Sequence, residues 1–229
     1  MPIDLITSSG LGSLLGMRHA LEPDHLTAVS TILSEGHSTR RAAWLGVCWG
    51  LGHTLTLVLI AAAVMVLRIE LPATASEVFE LGVALMLIGL GLRAILLAAK
   101  QGPNGPVHTH AHHGHVHSHQ GAPAHVHIGT WTLARRPLLI GAVHGLAGSG
   151  ALTALVLATL PSTAARLAYI VLFGIGSTLG MAMLSGLLGW PLARAGSRRG
   201  LARMVSFVVG CVSMALGVFW GYFAVLAII

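Results

Sequence analysis

Long apolar stretches dominate this chain, with polar residues collected at their ends. Six stretches, at about 5–33, 42–67, 78–98, 137–160, 164–192 and 202–228, are each long enough for a helix to cross a bilayer, which takes about 20 residues. The runs LTLVLIAAAVMVL (55–67) and LGVALMLIGLGL (81–92) carry no charge. In hydrocarbon only helices and closed barrels satisfy the backbone, and runs this continuous are not barrel strands. The pattern predicts an all-α polytopic membrane protein of six transmembrane helices. The first stretch is too long, and too polar at its centre, for a cleavable signal peptide.

Composition agrees with that reading. The chain is 55% hydrophobic and 9% charged, with a mean hydropathy of +0.81. Its formal charge of +6 is a matter of topology. Arg40, Arg41, Arg93, Lys100, Arg135, Arg136, Arg194, Arg198, Arg199 and Arg203 all fall on one side of six spans, whereas Arg68 and Arg166 fall on the other with Asp4, Glu70, Glu77 and Glu80. The basic side is expected to be cytoplasmic. That makes a multi-pass inner-membrane protein with both termini outside, in contact with lipid and with no nucleic-acid partner. Oligomeric state is not encoded. Cys48 and Cys211 stand alone in separate apolar stretches, as small packing residues do.

The chain also resembles itself at an offset of about 125 residues. GMRHAL (16–21) lies over GAVHGL (141–146), WGLGHTLTL (49–57) over FGIGSTLGM (173–181), and LGVALMLIGLGL (81–92) over VGCVSMALGVFW (209–220). Three fragments in one order divide the chain into residues 1–99 and 135–229, each a three-helix repeat. An odd number of spans per repeat inverts the second copy, a recurring transporter plan with the substrate near the midplane. Shared glycines serving helix packing are the competing explanation of the matches. Residues 100–134 join the halves. Within them, residues 100–129 hold nine of the fourteen histidines, three prolines and no aromatic residue. Such a segment has little to bury and is expected to be a disordered cytoplasmic loop, either a metal buffer or a spacer.

The stretch GMRHALEPDHLTAV (16–29) departs from everything around it, crowding Arg18, His19, Glu22, Asp24 and His25 into an apolar run. At about 100° per residue, His19, Glu22 and His25 share one helical arc, Arg18 can pair with Glu22, and Asp24 points away. Pro23 removes the N–H that would bond the His19 carbonyl, so a break there can turn Asp24 towards the others and free that carbonyl. A central Asp costs about 2.5–3.5 kcal/mol on insertion scales, so these groups predict an internal polar site. A metal or proton site and a buried salt-bridge cluster both fit. Imidazole and carboxylate donors suit first-row metals such as Ni, Co and Zn. His53, in WGLGHTLTL, is a further candidate ligand or a hydrogen-bonded packing residue. His144 is a weaker candidate, because its repeat brings no acid.

These residues resemble the signature of the nickel/cobalt transporter (NiCoT/NicO-type) superfamily. His19, Asp24 and His25 after Arg18 match its His-x-x-x-x-Asp-His helix, and Gly52 and His53 match its second histidine motif. The resemblance implies transport of Ni²⁺ or Co²⁺, and the absence of acid in HGLAGSGAL (144–152) and GIGSTLGM (174–181) is more like a short six-span branch with a His-rich loop. The expected metal ligands are His19, Asp24, His25 and His53, with Glu22 and His144 behind them. The expected function is secondary transport of that ion through a midplane His/Asp site. No cofactor beyond the transported ion and no enzymatic activity is expected. Neither a Walker motif nor a His-Glu-x-x-His pattern occurs in the chain. The competing reading is a sulfite-type anion or organic-acid exporter, in which Arg18 binds substrate and the carboxylates relay protons.

Overall fold

The computed structural model describes residues 2–33, 38–67, 73–100, 108–112, 115–119, 125–128, 131–160, 162–196 and 199–229. Arg68, Glu70, His113 and Arg198 lie outside them. Seven helices are present among the described residues: α1 (Pro2–His19), α2 (Pro23–Leu33), α3 (Thr39–Leu67), α4 (Ala73–Lys100), α5 (Arg135–Thr159), α6 (Thr163–Gly196) and α7 (Arg199–Ile228). Among the described residues four stretches, Thr39–Leu67, Thr74–Lys100, Thr163–Leu192 and Gly200–Ile228, are long and apolar enough to cross a membrane. The first predicted span is not one helix but two, because the chain breaks between His19 and Pro23. Pro23 opens α2, where its missing N–H leaves no bond unmade, and Asp24 occupies the first turn. The His19 carbonyl, expected to be free, accepts the Glu22 N–H at 3.0 Å. The break thus closes on itself with a local turn.

Among the described residues of the linker, β1 (His108–His112) pairs antiparallel with β2 (His115–His119), and β3 (His125–Ile128) with β4 (Trp131–Ala134). In the first, His108 stands opposite His119 and His110 opposite His117. Val and Thr between the histidines favour extended chain.

Large apolar side chains face outward along the bundle, among them Leu55, Leu59, Leu85, Leu179, Met183, Leu187 and Phe219. Small ones line its interior, among them Ala42, Cys48, Ala61, Ala84, Ala98 and Ser213. A water-soluble fold sorts them the other way. Helices in lipid gain little by hiding Leu and associate by close backbone approach over small residues.

Helix α3 packs along α6 and α5, α1 along α6, and α4 along α7. These contacts are reciprocal at the offset found in the sequence. A Cβ on Gly16 would collide with the Phe173 carbonyl, and one on Gly141 with the Trp49 carbonyl. Likewise Gly52 abuts the Leu138 carbonyl and Gly176 the Ser13 carbonyl. Thr54 and Thr178, aligned in the same comparison, meet through their hydroxyls at 3.0 Å. Even the helix starts correspond. Ser38 caps the Arg41 N–H at 3.4 Å, and Ser162 caps the Ala165 N–H at 3.2 Å.

Candidate metal centre

The broken helix carries most of the polar cluster. His19 ends α1 and Asp24 and His25 begin α2, so the turn between them lets Asp24, which a straight helix would point away, join the two histidines. His53 enters from the middle of α3 and His144 from α5. His25, His53 and His144 are almost wholly buried, and Asp24 nearly so.

Asp24 uses both carboxylate oxygens. Oδ1 lies 3.1 Å from His25 Nδ1 and Oδ2 lies 2.5 Å from His144 Nε2. Glu22, more than half exposed, holds His19 Nδ1 at 3.0 Å. It therefore pairs with His19 rather than with Arg18 one turn earlier. The rings crowd one another: centroids are 4.5 Å apart for His19 and His25, 5.2 Å for His19 and His53, and 4.0 Å for His25 and His144. Trp49 stacks on His25 at 5.5 Å and walls the cluster on that side.

Among the described residues, two sets of three side chains could each hold a metal ion. His19, His25 and His53 form one, and Asp24, His25 and His144 the other, with one donor atom per residue and all donors within 4.8 Å in each set. All four principal predicted residues are therefore gathered, but distributed over two sets that share His25. His144, ranked below them by sequence, is as central as any. Glu22 touches the cluster only through His19.

Several buried donors and acceptors have no protein partner: His25 Nε2, both ring nitrogens of His53 and His144 Nδ1. Such atoms cost about 1–3 kcal/mol each when left unpaired, and a bound cation would satisfy several at once. A cavity of about 310 Å³ reaches His19, Glu22, Asp24, His25 and His144, and also meets Glu80, Trp220 and Phe223. By sequence Glu80 lies at a span end and Trp49 in an apolar run. Glu80 is an acid in the first turns of an otherwise apolar span, which is a usable signal, whereas nothing local marks Trp49. Arg18, the residue an anion site would need, is exposed and lies outside the cavity lining.

The family model described as NicO, high-affinity nickel-transport protein, matches residues 5–226. The urease accessory protein UreH of Bacillus sp. (strain TB-90) is 33% identical over 224 residues, covering 96% of this chain and 92% of that one. The chloroplast protein FOR GROWTH AND FERTILITY 1 of Arabidopsis thaliana is 29% identical over 192 residues, covering 80% of this chain and 50% of that one. No solved structure matches the chain.

Proposed function

We propose, given that this chain belongs to the NicO family of high-affinity nickel-transport proteins, that it is a secondary transporter carrying Ni²⁺ through the buried His/Asp cluster. Co²⁺ suits the same imidazole and carboxylate donors and is expected to follow the same route. The observation that carries the reading is the convergence of His19, Asp24, His25, His53 and His144 at a helix break inside an apolar bundle, with ring nitrogens left unpartnered. Intramembrane ionisable residues mark ion pathways, and non-helical backbone at that depth is tolerated where it is buried in protein or lines a cavity.

The reciprocal glycine contacts and the matching Ser38 and Ser162 caps support two inverted three-helix repeats, residues 1–99 and 135–229. Residues 100–134 are then the cytoplasmic connection between them, and the protein sits in the inner membrane with both termini outside, as its basic residues ask. On that orientation Glu80 and Phe223 lie towards the outer ends of α4 and α7, so the cavity opens outward. Rocking of the repeats about their close glycine contacts would expose the ion to the other side.

Purified protein in liposomes should accumulate radioactive nickel. His19→Ala and His53→Ala variants that insert normally should not. Wild-type rates in both variants would remove the cluster from the transport path.

A further inference from the structure

The two kinds of side chain in the cluster do different work. We infer that Asp24 and Glu22 fix histidine tautomers and that the ion is bound by three imidazoles, those of His19, His25 and His53. This rests on the nickel reading above and adds a division of roles to it.

An ionised carboxylate accepts hydrogen bonds and cannot donate them. The ring nitrogens facing Asp24, His25 Nδ1 and His144 Nε2, therefore carry the protons. Their lone pairs are left on His25 Nε2 and His144 Nδ1, and both of these atoms are buried without a partner. The same argument applies at His19. Its Nδ1 faces Glu22 at 3.0 Å, which leaves the lone pair on Nε2. His53 has no partner on either nitrogen, so one lone pair is available in whichever tautomer it holds.

His19, His25 and His53 bring one ring nitrogen each within 4.8 Å of the others, and each of these three rings has a lone pair to offer. The nitrogen of a histidine that binds metal is chosen by the hydrogen bond its other nitrogen makes, commonly to a carboxylate. Asp24 fits that description twice over, with one histidine on each oxygen. It is a positioning residue for His25, and its second bond, to His144, joins α2 of one half to α5 of the other.

The test uses the full chain in lipid nanodiscs with ¹⁵N-labelled histidine. In the metal-free protein, long-range proton–nitrogen correlations should show protons on Nδ1 of His19 and His25 and on Nε2 of His144. Asp24→Ala should release His25 and His144 from those tautomers and leave His19 unchanged, a selective effect that general loss of structure would not produce. X-ray absorption of the Ni²⁺-loaded protein should count three imidazoles. That count should fall to two in His53→Gln and stay at three in His144→Gln. Asp24→Asn should weaken nickel affinity about 10- to 100-fold while leaving the nickel d–d band positions in place.

His25 protonated on Nε2 in the metal-free chain, a count that falls in His144→Gln, or d–d bands displaced in Asp24→Asn would each overturn the division of roles. A wild-type chain that binds no nickel would overturn the transport reading along with it.

Discussion

Asp24 Oδ2 and His144 Nε2 lie 2.5 Å apart although 120 positions separate the two residues in the chain. This contact fastens the first turn of α2 to α5, and so joins the polar cluster of one half of the molecule to the other. Removing Asp24 should therefore do more than delete a charge. Asp24→Ala leaves His25 and His144 without their shared partner, and each buried ring N–H left unpaired typically costs about 1–3 kcal/mol. A lower melting temperature together with lost nickel transport is expected. Unchanged stability would mean that the contact does not hold the halves together.

His53 should behave in the opposite way. Both its ring nitrogens are buried and unpartnered, so the metal-free protein gains nothing from its polarity. His53→Leu should stabilise the metal-free chain by about 1–3 kcal/mol and abolish nickel binding. Thermal unfolding with and without Ni²⁺ checks both halves of the prediction. A destabilised variant would show that His53 has a structural partner.

Nickel itself should protect the wild-type protein. A ligand that binds only the folded state at 100 times its Kd adds about 2.7 kcal/mol to stability. Ni²⁺ and Co²⁺ should raise the unfolding temperature, and sulfite should not. Protection by sulfite alone would favour the anion exporter.

The close glycine contacts predict paired effects. Gly16→Ala and Gly141→Ala each drive a methyl group into a backbone carbonyl of the facing helix. Overpacking of this kind typically costs about 1–3 kcal/mol, and the two variants should suffer alike because their surroundings correspond. Gly82→Ala meets nothing within 4 Å and should be harmless or slightly stabilising. Unequal losses at Gly16 and Gly141 would count against the repeat.

Deleting residues 107–127 should leave insertion and maximal transport rate intact and reduce nickel accumulation at low external concentration, if the nine linker histidines buffer the ion. Equal accumulation at every concentration would leave them as spacer.

The sequence carried the cluster because its cost is local. Charges and a proline in an apolar run are visible without knowing the fold, and Pro23 marks where α1 gives way to α2. Membership of a nickel-transport family was legible from His19, Asp24, His25 and His53. Partnership across the bundle was not. Glu22 chose His19 over Arg18 because the turn at 20–22 ends the helical spacing that would have matched Arg18 to it. The importance of His144 depends on a contact 120 residues away, and only the repeat alignment, which set it over His19, hinted at it. Trp49 gave no hint at all, since its stacking on His25 follows from how α3 meets α2.

The central claim is most directly tested by locating the ion. Nickel-loaded crystals measured on either side of the nickel absorption edge should give one dominant anomalous peak within coordinating reach of His19, His25 and His53. A dominant peak away from these three side chains, in protein that transports nickel, would contradict the account.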